Sequence, residues 1–238
     1  MRSVFKREFR GLFHDITGFL FIAAHAFFVG IFLIDHCMND GRSDVEGILS
    51  KMAIAAAALL PLLFLKMKSV SRKETEGFMR TLPISAREEV AGKYMASLAV
   101  ILISVFLTLL CFVFVGLFGD INYLSAICAL FIYFLFCLLM SSIYLFVTVS
   151  LRSFNVAAVV CYGVAVVIFA LGFLGVMLKK VGNGILEAVA RRTSPFLRVD
   201  EAVYGIFDIS TVVYFLVITA LFLFLSIYVA ERDRMSEV

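Results

Sequence analysis

The chain has 238 residues, 63% of them apolar and only 16% charged, with a mean hydropathy of +1.04. Soluble domains are about half apolar and about a quarter charged, so a water-soluble globule of this size is excluded and lipid must be the solvent. The net charge of +3 reads as a membrane-topology signal and not as a nucleic-acid surface.

The first stretch, Arg2 to His14, alternates bulky apolar and basic residues. On a helix, Val4, Phe5, Phe9, Leu12 and Phe13 line one broad stripe, with Lys6, Arg7 and Arg10 beside it. Such a helix is expected to rest at the cytoplasmic interface, its basic side near anionic head groups. Apolar runs follow at Thr17–Ile34, Met52–Leu65, Ala96–Phe118, Tyr123–Val149, Val156–Leu178 and Val212–Ala230. They are long and do not alternate, which selects helices over barrel strands, since a helical span needs about 20 apolar residues. A helix also pairs its own backbone, as hydrocarbon demands. The spans are therefore predicted at 17–36, 48–67, 94–118, 122–150, 155–178 and 210–230. Pro61 removes one backbone bond from the second and is expected to kink it. No small-residue cleavage pattern follows Ile34, so the first run reads as a retained helix and not as a signal peptide.

Between the second and third spans, Lys66 to Lys93 carries helix punctuation. Ser85 and Glu88 stand at the capping-box spacing, so a helix starts after Ser85 and runs toward the third span. Pro83 ends the preceding helix near Thr81. After the fifth span, Ile185–Arg192 reads as a short amphipathic helix, with Thr193 to Phe196 as a stop because Ser-Pro favours a turn. This outer segment is too short for a folded receptor domain and suits a cap over the mouth of a bundle. With the N-terminus inside, fourteen of the 21 Lys and Arg fall on the inner side, so both termini are predicted cytoplasmic. No repeat or linker divides residues 1–238, which read as one all-α integral membrane domain.

Catalytic signals are sparse. No GxxxxGK[ST] string occurs; Gly92-Lys93 is followed by Tyr94 and has Arg87 where the first glycine belongs, so the chain lacks a phosphate cradle of its own. Glu88 and Glu89 with Lys93, and Phe21 with His25, approach the pattern of one intramembrane metalloprotease class. The order is reversed, however, and Lys93 stands where arginine belongs. His14, His25 and His36 recur every eleven residues and share a face of a continuous helix, but at about 16 Å spacing they are too far apart for one metal. His25 reads as a packed histidine bonded to a neighbouring helix. Five cysteines without a C-x-x-C pattern read as packing residues. Ser141 and Ser142 read as polar contacts between helices. The span interiors hold few charges, so no ion-coupling machinery is legible and energy must come from elsewhere.

Residues Glu74–Ser85, reading ETEGFMRTLPIS, are followed by Arg87–Tyr94, reading REEVAGKY. With the basic N-terminal helix and six spans, these strings resemble ABC-2 type transporter permeases. Ser194-Pro195-Phe196, and the stretch from Val203 to Asp208 ahead of Tyr214, are similar to the gliding-motility-associated branch of that family. The resemblance implies a permease subunit of an ATP-binding cassette exporter in a prokaryotic cell membrane. It implies a second permease chain, identical or related, and separate ATPase subunits that bind the ATP and Mg, with no cofactor in this chain. It assigns ATPase docking, as a coupling helix, to Glu74, Thr75, Glu76, Phe78, Met79 and Arg80. It assigns the interfacial helix to Phe5, Lys6, Arg7, Phe9 and Arg10. An outer gate would involve Ile185, Leu186, Val189, Pro195 and Phe196. Arg80 departs from the leucine run common in relatives. The other functional classes open to such a chain are a membrane scaffold or sensor and an intramembrane protease.

Overall fold

The computed structural model describes residues 2–39, 46–74, 85–117, 122–181, 189, 192–203 and 208–235. Among them the elements are all helical: α1 (Arg2–His14), α2 (Thr17–Asn39), α3 (Glu46–Glu74), α4 (Ala86–Gly116), α5 (Tyr123–Ser150), α6 (Phe154–Val181), α7 (Pro195–Val203) and α8 (Ile209–Met235). Six of these, α2 to α6 and α8, are long and apolar enough to cross a membrane, which makes the chain a multi-pass membrane protein. The six predicted spans fall on these six helices.

Burial sorts them into a centre and a ring. In the apolar stretches of α3 and α5, 67% of residues are buried, against 17% in α6 and α8. The centre is dense with Leu60, Leu63, Phe64, Tyr133, Phe136 and Tyr144, all essentially inaccessible. Large apolar residues such as Phe106, Val159, Val166 and Phe224 face outward, as expected where the surroundings are as apolar as the core. With little hydrophobic force between helices in lipid, close packing and polar bonds must hold the bundle. Tyrosines supply several of those bonds. Tyr144 donates to the Ala57 carbonyl at 2.7 Å and Tyr94 to the Leu138 carbonyl at 3.2 Å, while His25 and Tyr133 share a bond of 2.9 Å. Ser142 instead donates to Leu139 of its own helix, and the buried Ser141 hydroxyl meets no partner among the described residues. The pair is therefore not the interhelical bond expected from sequence; its small size lets neighbours approach.

α3 runs unbroken from Glu46 to Glu74 with Pro61 buried inside it. At its far end the Lys68 ammonium reaches the carbonyls of Thr148 and Leu151, closing the C-terminus of α5 with the charge that a helix end favours. α4 begins at Ser85, whose hydroxyl accepts the Glu88 amide at 3.3 Å, so the predicted capping box starts the helix. No second break separates it from the span. Its 31 residues measure about 46 Å, well beyond a hydrocarbon core of about 30 Å, so its charged first turns stand outside the membrane.

The chain turns from α1 into α2 at Asp15 and Ile16. Ile16 adopts φ 65°, an unusual conformation for a β-branched residue. This corner means that His14 and His25 do not share one helix, contrary to the eleven-residue reading. Lys66 of α3 pairs with Asp15 at 2.7 Å and holds its carboxyl below the usual carboxylate range. The pair stands at neutral pH, and its small contribution is lost only as acidification protonates Asp15 at that lowered pKa.

α1 itself lies on α4. Val4, Glu8 and Leu12 are buried, and Val4 sits in a notch left by Gly92, where a methyl group would come within 2.6 Å of Val4 Cγ1. Gly92→Ala should therefore displace α1 at a cost of about 1–3 kcal/mol and speed tryptic cleavage after Arg7 and Arg10. Val4→Ala in the same chain should restore only part of the protection, since it removes the Cγ1 contact but keeps Cβ, 2.9 Å from the added methyl.

Candidate functional site

The shorter helix α7 starts where the sequence suggested a stop. Ser194 is buried, and its hydroxyl accepts the Leu197 amide at 3.5 Å, while Pro195 occupies the first helical position, where its missing N–H costs nothing. The Ser-Pro pair thus opens a helix. α7 then packs on α3, α5 and α6, burying Leu197 and Val199.

Two polar side chains fasten it to α8 and to the residues before it. The Arg198 guanidinium lies 4.2 Å from the centre of the Tyr214 ring, donates to Thr211 Oγ1 at 3.3 Å and to the Arg192 carbonyl at 3.1 Å. Tyr214 donates its hydroxyl to the Thr193 carbonyl at 2.8 Å. A planar guanidinium suits this combination, because it stacks on the ring and keeps its N–H groups free at the edge. Asp208 caps the start of α8 by accepting the Ser210 amide at 2.9 Å.

Held in this way, Phe196 reaches across to α6. Its ring meets Phe169 at a centroid distance of 6.4 Å in a T-shaped contact, and Gly172 leaves room for it: a methyl there would lie 2.8 Å from Phe196 Cδ1. Beneath Phe196 is an apolar pocket of about 220 Å³ between α3, α5 and α6. Ala53 and Ala57 form its narrow wall, Phe136 its floor, and Tyr162 and Phe169 its α6 side. Tyr162 brings the one phenolic hydroxyl of the lining. Ile54 and Val166 at the rim are exposed, so the pocket opens sideways between α3 and α6. Such a site accepts apolar surface and offers one hydrogen-bonding group.

Of the residues proposed for the outer gate, Pro195 is buried and Phe196 roofs the pocket, while Val189 is exposed. Ile185 and Leu186 lie outside the described residues. So do Thr75, Glu76, Phe78, Met79 and Arg80; Glu74 is the last helical residue of α3. Phe5 and Phe9 are half-buried, and Lys6, Arg7 and Arg10 are exposed. The residues of the protease reading are not assembled. Glu89 pairs with Lys93 at 2.7 Å, Glu88 belongs to the helix cap, and His25 is bonded to Tyr133 on α5. Among the described residues, no group of three His, Cys, Asp or Glu could hold a metal ion.

The pocket was missed in the sequence because its lining comes from four separated segments. Its clearest trace is Ala53, Ala57 and Ala58, part of an alanine-rich stretch ahead of the leucines of α3. No model of a known protein family, no curated protein and no solved structure matches the chain.

Arg198→Ala should loosen α7 and lower stability in detergent by about 2 kcal/mol. A cysteine placed at Phe196 should then react faster with an aqueous maleimide. Arg198→Lys should recover only part of this, because lysine lacks the planar fork.

Proposed function

We propose that this chain is the membrane-spanning permease subunit of an ATP-binding cassette exporter of the ABC-2 type, working with a separate ATPase chain and a second permease chain. The observation that carries this reading is α4. It is a single rigid helix, capped at Ser85, that leads from the Glu74–Ser85 segment into the bundle. A push delivered to that segment by an ATPase has a continuous path to the packed centre, since α4 lies against α1, α2, α5 and α8. Arg87 on its first turn pairs with Glu231 at the end of α8 at 3.0 Å, so the start of α4 is tied to the C-terminal helix as well.

Further support comes from the pocket and its exposed flank. α6 buries little of its surface within this chain, which leaves a wall for a second permease chain to complete. The pocket under Phe196 then lies on the pathway, with α7 as its outer closure. The span interiors carry few charges, which suits a machine driven by a partner's ATP hydrolysis more than by an ion gradient. In this reading Phe78 and Met79 supply the apolar anchor of the docking segment, with Glu74, Thr75, Glu76 and Arg80 as its rim. Alternation between inward- and outward-facing packings follows from the partner's different contacts with each. The more basic helix ends, those of Lys66, Lys68, Arg87 and Lys93, face the cytoplasm of a prokaryotic cell.

Affinity purification in mild detergent should recover a stoichiometric nucleotide-binding chain, identified by mass spectrometry. Phe78→Asp with Met79→Asp should abolish the association while the protein keeps its thermal midpoint. Recovery of the chain alone, from extracts in which other membrane complexes survive, would replace this reading with a scaffold or sensor.

A further inference from the structure

The structure divides the surface of α1 into three parts, where the sequence suggested one apolar stripe and one basic edge. Successive residues turn by about 100° around a helix. Val4, Glu8 and Leu12 face the bundle and are buried. Phe5, Phe9 and Phe13 form a second arc that is half-buried, their rings in a ladder at 5.6 and 4.8 Å that continues to Phe19 of α2 at 4.9 Å. The third arc holds Lys6, Arg7, Arg10 and His14, all exposed. Lys6, Arg10 and His14 follow at four-residue intervals and so stack along one line of the helix.

Arg7 is engaged by Glu8 at 2.6 Å. Lys6 and Arg10 have no carboxylate within ion-pair distance among the described residues. Two cationic groups are thus presented outward with their charge uncompensated by the fold. Between Phe9, Arg10, Gly11, Phe13 and His14 lies an open hollow of about 650 Å³. Gly11 keeps it open, since no atom lies within 4 Å of the place a side chain would take.

The level of this hollow in the membrane is set by its neighbours. Ile16, Phe19 and Leu20, at the start of α2, are more than half exposed and apolar, so hydrocarbon begins there. Gly92 and Lys66, which α1 and its corner touch, belong to the charged ends of α4 and α3. α1 therefore lies where acyl chains give way to head groups. Its aromatic arc borders the acyl side, and its basic arc borders the phosphate layer.

From this we propose that α1 forms a binding site for an anionic phospholipid, with the phosphate in the hollow against Arg10, Lys6 adding its charge from one turn away on the same line of the helix, and the acyl chains along Phe9 and Phe13. The observations favour a lipid over a soluble acidic partner because the basic arc adjoins a phenylalanine ladder that continues into a membrane span. A soluble partner uses the charge and leaves the ladder without a role. The site goes beyond the transport reading and does not depend on it. Since α1 is locked to α4 through Val4 and Gly92, an occupied site also steadies the first turns of α4.

Native mass spectrometry of the full chain in mild detergent, offered equal phosphatidylglycerol and phosphatidylcholine, tests the proposal. The wild-type protein should retain phosphatidylglycerol preferentially. Lys6→Gln and Arg10→Gln should each weaken that preference about five-fold, whereas Lys6→Arg and Arg10→Lys should preserve it. Both residues are exposed, so the thermal midpoint without lipid should not change. Gly11→Leu, which fills the hollow and leaves every charge in place, should also remove the preference. Excess inorganic phosphate should not displace the lipid, because it lacks the acyl chains. Equal retention of both lipids by the wild type, or an unchanged preference in the double glutamine variant or in Gly11→Leu, overturns the proposal. So does displacement by free phosphate. Capture of an acidic peptide or oligonucleotide through Lys6 and Arg10, without lipid preference, overturns it in favour of a soluble partner.

Discussion

The contact between α3 and α5 is what the rest of the bundle is built around. In lipid an apolar side chain gains little by leaving the solvent for the protein, so two helices stay together through fit and hydrogen bonds. α3 offers Ala53, Ala56 and Ala57 to its neighbours, which lets backbones come close. Tyr144 then reaches the Ala57 carbonyl, the group that Pro61, four residues on and without an N–H, leaves without its helical donor. At the end of the same helix, Lys68 closes the exposed carbonyls of α5. One bond near the middle and one charge at the end fix both the separation and the axial register of the pair. The four outer helices are then placed by reference to this axis.

The two ends of the axis are finished differently. At the end where α3 stops, charges are paired across elements, Lys66 with Asp15 and Arg87 with Glu231, and within α4, Lys93 with Glu89. These are solvent-accessible pairs of small individual worth. Their effect is to tie α3 to the α1–α2 corner and α4 to α8. At the other end, Lys51 of α3 pairs with Asp35 of α2, and α7 is packed into the bundle beneath a guanidinium–aromatic clasp. One end thus presents polar helix starts to solvent, and the other is closed by a buried short helix.

Much of this was legible in the sequence, for an identifiable reason. A span must satisfy its backbone internally over about 20 residues, and that constraint writes a long apolar run that tertiary contacts cannot disguise. The Ser85 cap was equally local, since it needs only a hydroxyl and an amide three residues apart. The failures came where a local signal has two outcomes. Ser194-Pro195 ends one helix or begins another by the same chemistry, and the deciding contact, Phe196 in the Gly172 notch, lies on α6. The eleven-residue histidine spacing presumed a continuous helix, and the Ile16 corner broke it. Ser141 and Ser142 looked like interhelical donors, but the tyrosines and Lys68 take that part, because a longer side chain spans the gap between helix axes. The pocket was invisible because no single segment contains it. The docking assignment to Glu74–Arg80 continues to rest on the resemblance of its residues to a permease pattern.

The unequal burial of the helices bears on how such a bundle moves. α3 and α5 are joined by Tyr144 and Lys68, whereas α6 touches α3, α5 and α7 and shows most of its surface to the surroundings. A displacement of α6 therefore breaks few bonds inside the chain, and the pocket it borders is the volume that changes. Phe196 sits on the boundary, its ring against α6 while its backbone is fixed to α8 through Arg198 and Tyr214. Moving α6 relative to α7 withdraws the Gly172 notch from that ring and opens the pocket at its capped end. α4, by contrast, lies against α1, α2, α3, α5 and α8 and runs without a break from Ser85. A helix with many neighbours on one side and a weakly tethered wall on the other form a bundle in which a displacement of α6 changes the pocket before it disturbs the core.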